Sequence, residues 1–238
     1  MREGGRMIAK IMGELMQEVR PGVSTAELDR SAEEKIRKAG AKPAFLHYQG
    51  FPNTLCASLN DEVVHAVPSD KKILKDGDIL TLDLGLMHKG YYSDMARTIP
   101  VGKIGKEAAR LVEVTKRALE LGVAKARPGA PLGDIGHAIQ RFVEGEGFSV
   151  VRELCGHGIG RALHEEPQVL NFGERRTGLV LKEGMVLCIE PMVTAGEWNV
   201  KLGKDGQTYF TRDGSLAAHF EDTVAITKTG VDILTKLL

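Results

Sequence analysis

The sequence predicts an α+β fold made of two copies of one helix–helix–hairpin unit, related by a pseudo-twofold, with a central antiparallel sheet covered by helices. Three observations carry this. The stretch LKDGDILTLDLG, Leu74 to Gly85, returns as LKEGMVLCIEPM, Leu181 to Met192, with Asp83 matched by Glu190. Pro21-Gly22 is matched by Pro128-Gly129, and Gly40 by Gly147. All three pairs (83 and 190, 21 and 128, 40 and 147) share one offset of 107 positions, the mark of an internal repeat.

In the first copy, residues 6–19 space their apolar side chains as a helix does and stop at Arg20-Pro21-Gly22. A second helix opens on a capping box, Ser24 with Glu27, and closes at Gly40. Residues 53–68 read as two short β segments, and 78–99 as a hairpin turning near His88-Lys89-Gly90. The second copy repeats the order. A helix beginning near Gly105 ends at Pro128-Gly129, and another runs from about Leu132 to Glu146. A glycine-rich segment follows, then the strand into Glu190 and strands near 197–202, 207–211 and 217–227. The halves, about 6–100 and 106–228, have no low-complexity linker between them and predict one catalytic domain over 1–238.

Lys plus Arg equals Asp plus Glu at 32 each, so neither a basic face for nucleic acid nor an acidic tail is indicated. No apolar run reaches the roughly 18 residues of a membrane span, and the charged first twenty residues are unlike a secretory leader. The expectation is a cytoplasmic protein that does not engage membranes. Cys56, Cys155 and Cys188 are odd in number, far apart and without a CxxC, so neither a disulfide framework nor a zinc–thiolate site is suggested. Each is expected to be a buried, reduced thiol.

Asp83 and Asp94 lie symmetrically about the expected hairpin tip. An even loop without a bulge puts them opposite each other, with Cβ atoms about 5 Å apart. The strand DILTLDLG is too apolar to face water, so the pair is expected to be shielded, and desolvated like charges need a positive partner. That partner could be an arginine, a shared proton or a cation. Glu190 stands where Asp83 stands in the other half, and HFEDTVAI adds Glu221, so four acids converge on the axis between the halves. Arg97 is the only arginine or lysine within three residues of any of them, which favours a divalent metal. In CGHGIGRALHEEPQ, His157 lies between two glycines that permit close backbone approach, and His164 precedes Glu-Glu-Pro. Both are functional candidates. His47, His88 and His137 are read as ordinary satisfied or exposed histidines, and His219 as a neighbour of the site on Glu221's strand face. Carboxylates and imidazole without thiolate suit a pair of hard or borderline ions such as Mn, Fe(II) or Co better than one catalytic zinc. Two such ions about 3.5 to 4 Å apart imply metal-assisted hydrolysis.

Over essentially its whole length the chain resembles type I methionine aminopeptidases, of the pita-bread fold. The motifs are PGVSTAELD, GFPNTLCASLNDEVVH, DGDILTLDLG, YYSDMARTI, CGHGIGRALHEEPQVLN, GMVLCIEPM and HFEDTVAIT. The resemblance implies that Asp83, Asp94, His157, Glu190 and Glu221 hold two divalent ions (Co, Mn, Fe(II) or Zn). Asp94 and Glu221 would bridge them, Asp83 would complete one site, and His157 with Glu190 the other. It further implies that a water activated between the ions attacks the first carbonyl of a peptide. Glu190 would shuttle the proton, His164 would stabilise the oxyanion, and His65 would bind the amide nitrogen or the substrate backbone. Tyr48, Phe51, Cys56, His65, Leu163 and Gln207 would line a small slot for methionine. Leu163 stands where bacterial members commonly have Phe, Gln207 where a Trp often covers the pocket, and Phe45 where a small residue is frequent. These departures bear on how strictly methionine is preferred.

The resemblance also implies nascent-chain N-termini as substrate, with transient ribosome contact suited to that task, and nothing in the sequence suggests more than a monomer. X-prolyl peptidases of the wider family usually carry an additional N-terminal domain, and type II members carry a helical insertion. This chain begins on its first helix and has no room for the insertion between Gly160 and Glu190. Removal of initiator methionine is therefore expected ahead of an exopeptidase shifted toward X-Pro. A binding protein on the same fold is disfavoured because every ligand and both histidines are present.

Overall fold

The computed structural model describes residues 1–237. The first half runs α1 (Arg2–Glu18), α2 (Thr25–Lys38), β1 (Lys42–Pro43), β2 (Leu55–Leu59), β3 (Glu62–Val64), β4 (Ile79–His88) and β5 (Tyr91–Pro100). The second begins with α3 (Lys106–Val123), α4 (Gly133–Gly145), β6 (Ser149–Val150), β7 (Gly156–Gly158), β8 (Glu165–Val169) and β9 (Val186–Ile189). It continues through β10 (Met192–Thr194), β11 (Val200–Leu202), β12 (Tyr209–Thr211), β13 (Ala217–His219), β14 (Glu221–Ile226) and β15 (Val231–Ile233). The main sheet is antiparallel in the order β1-β4-β5-β14-β9-β7-β8, with β2 added to β4 and β15 to β14. Two three-stranded sheets, β13-β10-β6 and β11-β12-β3, wall it at one side.

The repeat is visible in the hydrogen bonds. An isolated bridge joins Ser24 to Ile73 and another Pro131 to Val180, both members displaced by the offset of 107. Gly22 donates to Leu74 O and Gly129 to Leu181 O, each at 2.9 Å. Val101 donates to Asp78 O in one half as Ile226 does to Met185 O in the other, at 2.8 Å each, which makes β5 and β14 equivalent. These two strands lie side by side with Ala96 opposite Glu221, so the pseudo-twofold axis passes between them.

Each half has its own interior. Ile8, Met12, Leu28 and Ile36 of α1 and α2 pack on Leu80, Leu82 and Leu84 of β4, all at most 1 % exposed. Leu111, Ala118, Ile135 and Ile139 of α3 and α4 pack on Leu187, Ile189 and Val224 in the same way, each fully buried. Removing such side chains from water contributes about 25 cal/mol per Å² of apolar surface, which fixes the helices on the sheet. The helix starts differ. Ser24 Oγ accepts from Glu27 N at 3.2 Å while Glu27 Oε2 accepts from Ser24 N at 2.7 Å, the capping box the sequence predicts. Helix α4 has no side-chain cap, and its first N–H donates to Thr177 O.

Two expectations need correction. The hairpin turns on Lys89 and Gly90, both with positive φ (52° and 78°), as a two-residue primed turn demands. Its tip lies one residue beyond the expected position, so Asp83 pairs with Ala96 and Asp94 with Gly85. The two aspartates are diagonal neighbours, not directly opposite. A register shift of two keeps both on one face, because side chains alternate with period two. The strand expected over 217–227 is broken at Phe220: β13 joins β10 in a small sheet, and β14 enters the main sheet. His219 therefore does not share a strand face with Glu221, although both line the same cavity.

Candidate active site

The five candidate ligands arrive from different strands. Asp83 lies mid-β4, Asp94 on β5, Glu221 at the start of β14, Glu190 just past β9 and His157 in β7. All are buried, Glu221 to 2 % exposure. The glycines beside His157 are required by close packing. A Cβ at Gly156 would lie 2.3 Å from Cys188 O, and one at Gly158 2.3 Å from Glu166 O. Only bare backbone lets β7 seat between β8 and β9.

Asp83, Asp94 and Glu221 each present an oxygen within 4.8 Å of the others. One oxygen of each (Asp83 Oδ1, Asp94 Oδ1, Glu221 Oε1) is buried without a hydrogen-bond partner. On the other side, His157 Nε2 lies 3.5 Å from Glu190 Oε1. His157 Nδ1 donates to Gly158 O at 2.8 Å, which leaves the Nε2 lone pair free, the tautomer a metal ligand needs. Cys188 Sγ also lies within 4.8 Å of donor atoms of His157 and Glu221. Burial, reinforced by Glu221, Asp94 and Glu190, pushes its thiol pKa well up. It stays S–H, as the sequence reading expected, and thiols ligate as thiolates.

Among the described residues no protein cation neutralises this cluster. Arg97, the one candidate, points from the opposite face of β5 and bonds Asp222 Oδ1 at 2.6 Å, Ala96 O and Glu221 O. Burial raises the proton affinity of all four acids. Asp83 is pushed up to about 6 by burial, against the pull of nearby His219. Asp94 is pushed well up by burial and then by Glu221, Asp83 and Glu190, Glu190 by burial and Asp83, and Glu221 by burial, Glu190 and Asp83. His157 is held down at about 4 by burial and by His164. Clustered acids of raised proton affinity around a neutral imidazole accept divalent cations readily.

The cluster floors a cavity of about 170 Å³. Tyr48, Phe51, Cys56, Leu163 and Gln207 line it, as the resemblance implies, and so do His65 and His164. His164 Nδ1 lies 2.8 Å from the Tyr48 hydroxyl, and its ring is 4.3 Å from that of His157. His65 adopts a left-handed backbone (φ 57°) that carries its ring edge-on to Tyr209. Phe45 fits because Gly85 has no side chain: a Cβ there would lie 2.5 Å from the Phe45 ring. Leu154, Cys155, Val64, Met192 and Gln49 also line the cavity and were missed from sequence. For Leu154 and Cys155 the signal was proximity to His157. Cys155 is only half-buried, a correction to the reading of three buried thiols.

Fold and cleft together have the make-up of a metal-dependent hydrolase. The profile of metallopeptidase family M24 matches residues 1–228, and the chain belongs to that family. Methionine aminopeptidase 1 of Bacillus subtilis (strain 168) is 50% identical over 237 residues, covering 100% of this chain and 95% of that protein. The crystal structure of methionine aminopeptidase from Thermotoga maritima is 43% identical with a TM-score of 0.98, covering 99% of this chain and 95% of that one. Prolidase from Pyrococcus furiosus is 27% identical with a TM-score of 0.80, and the match covers 99% of this chain but 62% of that one.

Proposed function

We propose that this chain removes the N-terminal methionine from peptides and nascent proteins whose second residue is small, using two divalent ions. The observation that carries this is the convergence of unpartnered carboxylate oxygens and a free imidazole nitrogen at the floor of a methionine-sized slot. Relatives of closely similar length that bear the methionine aminopeptidase name support it.

Asp83, Asp94, His157, Glu190 and Glu221 would hold the ions. Co, Mn, Fe(II) and Zn all suit these donors. Bound there, the ions would polarise the scissile carbonyl and lower the pKa of water beside it. Glu190 would take a proton from the attacking water and return it to the leaving amine. His164 Nδ1 lies 2.8 Å from the Tyr48 hydroxyl; in this reading the hydroxyl donates to it, so that Nε2 carries the ring proton and serves the developing oxyanion as a donor. His65, at the cavity wall, bonds the amide nitrogen or the substrate backbone. Phe51, Cys56, Leu163 and Gln207 surround the first side chain, where an unbranched thioether fills an irregular apolar slot well. A cytoplasmic location, a monomeric state and transient ribosome contact would go with such a substrate.

The test strips the protein with chelator, restores Mn, Co, Fe(II) or Zn, and offers Met-Ala-Ser and Ala-Pro-Ser. Metal-dependent release of methionine alone is expected. Cleavage only before proline overturns the substrate and moves the protein toward the prolidases, and no cleavage with metal bound overturns the catalytic reading.

A further inference from the structure

His219 is the buried group that the proposed mechanism leaves unused. It is 1 % exposed, it lines the cavity, and neither ring nitrogen has a hydrogen-bond partner. Its backbone is held at both ends by one hydroxyl: His219 N donates to Thr98 Oγ1 at 2.8 Å, and Thr98 Oγ1 donates to His219 O at 2.9 Å. The ring thus projects from a fixed anchor. Its Nε2 lies 3.5 Å from Glu190 Oε2, while Glu190 Oε1 lies at the same distance from His157 Nε2. One carboxylate is bracketed by two imidazoles, each facing a different oxygen.

The two rings differ in what stands behind them. His157 has the Gly158 carbonyl to take its Nδ1–H, so its Nε2 is free to ligate. His219 has no such acceptor at Nδ1. As a metal ligand through Nε2 it would bury an N–H with no acceptor, and orphaned buried N–H groups are rarer than orphaned acceptors. As an imidazolium it would bury two N–H groups with one acceptor in reach. With the proton on Nε2, that hydrogen points at Glu190 Oε2 and only a lone pair at Nδ1 goes unmatched.

We propose that His219 is a positioning residue: its Nε2–H donates to Glu190 Oε2, pinning the carboxylate so that Oε1 stays on the His157 side. This rests on the reading of Glu190 as ligand and proton carrier. The hydrogen bond needs only a few tenths of an ångström of approach from 3.5 Å. Partners that orient a ligating carboxylate typically change metal affinity or activity by about 10–100-fold when lost.

Two measurements test it. In ¹⁵N-histidine NMR of the zinc-loaded protein, with the His219 signals assigned from His219→Gln, the expected state is a neutral ring protonated at Nε2. A ring protonated at Nδ1 with a metal-shifted Nε2 overturns the proposal. Calorimetric titration of the metal-free protein with Mn or Co then compares His219→Leu with His219→Gln, whose amide restores a donor. His219→Leu is expected to keep the wild-type number of ions, bind them about 10-fold more weakly and lower kcat about 10–100-fold with KM little changed. His219→Gln is expected to recover most of both. Loss of one ion per chain in His219→Leu, or equal defects in both variants, overturns it. Should the wild type itself bind no metal, the reading of the centre fails rather than the role of His219 within it.

Discussion

Strands β4 and β9 hold equivalent places in the two halves: Leu80 answers to Leu187, Leu82 to Ile189 and Asp83 to Glu190. Strands β5 and β14 are equivalent as well, yet their acids do not correspond. The bonds that match Val101 with Ile226 match Ala96 with Glu221, and carry Asp94 onto His219. Strand β5 runs unbroken through Asp94, whereas its counterpart breaks at Phe220 and sends His219 into another sheet. Duplication thus built the walls and one symmetric pair of acids. The asymmetric residues set on those walls make the centre suited to an asymmetric task, holding a substrate by one end.

The largest expected effect tests that asymmetry. Asp94→Ala or Glu221→Ala should abolish peptide cleavage by removing a candidate ligand, and atomic absorption should show fewer ions per chain. Adding Ala96→Asp to Asp94→Ala, which moves the acid to the position equivalent to Glu221, should not restore turnover. Recovery would make the two arrangements interchangeable.

The shared frame predicts the next effect. Leu80→Ala and Leu187→Ala sit at equivalent, fully buried positions and should each cost about 2–5 kcal/mol in urea unfolding. Costs that differ by more than about 2 kcal/mol would show that the interiors are not equivalent in packing.

The acids set a smaller, pH-dependent effect. A carboxyl whose folded pKa is raised adds stability that is complete below its unfolded pKa and is lost as pH rises through the folded one. His157 and His219, held at about 4, act the other way, but only below their ordinary 6.5. Between 6.5 and about pH 8 those histidines no longer contribute, and the remaining pH dependence comes from the buried acids, with Asp94, Glu190 and Glu221 raised well above their usual range. The metal-free protein should therefore lose Tm across that window, and added Mn should flatten the profile. A metal-free profile already flat there contradicts burial of charged acids.

The smallest effect separates the helix starts. Ser24→Ala should cost about 1 kcal/mol by removing the cap. The equivalent Pro131→Ala removes no cap, and its cost should be limited to the unfolded-state entropy that proline restricts, about 0.4–1 kcal/mol.

Much of this was legible because the repeat wrote it in small, unambiguous residues. Pro-Gly and Gly stops, one capping box and the acids of the strands located the elements and four of the candidate ligands. The hairpin register was not legible, because one residue of turn position moves it by two, and the left-handed pair Lys89-Gly90 decided it. Nothing in LAAHFEDTVAIT marks a break at Phe220, since every residue up to it suits a continuous strand. The pairing of Arg97 with Asp222 needed the knowledge that β14 lies beside β5, 125 positions later in the chain. His65 came from resemblance alone; no pattern around it pointed to a site.

In the main sheet the two interiors meet where β5 pairs with β14, and β3 of the first half pairs with β12 of the second. Between β5 and β14 the ladder matches only Ala96 with Glu221 and Met95 with Asp222, and one short connection, Val101 to Gly105, carries the chain from half to half. A molecule made this way has a natural fault line. Cutting the polypeptide at Gly102–Lys103 would leave two pieces, each with its own packed interior, and neither with a whole centre. Mixed together, the pieces should find each other and regain cleavage, so that the working enzyme would behave as a pair of partners that share one peptide bond by convenience.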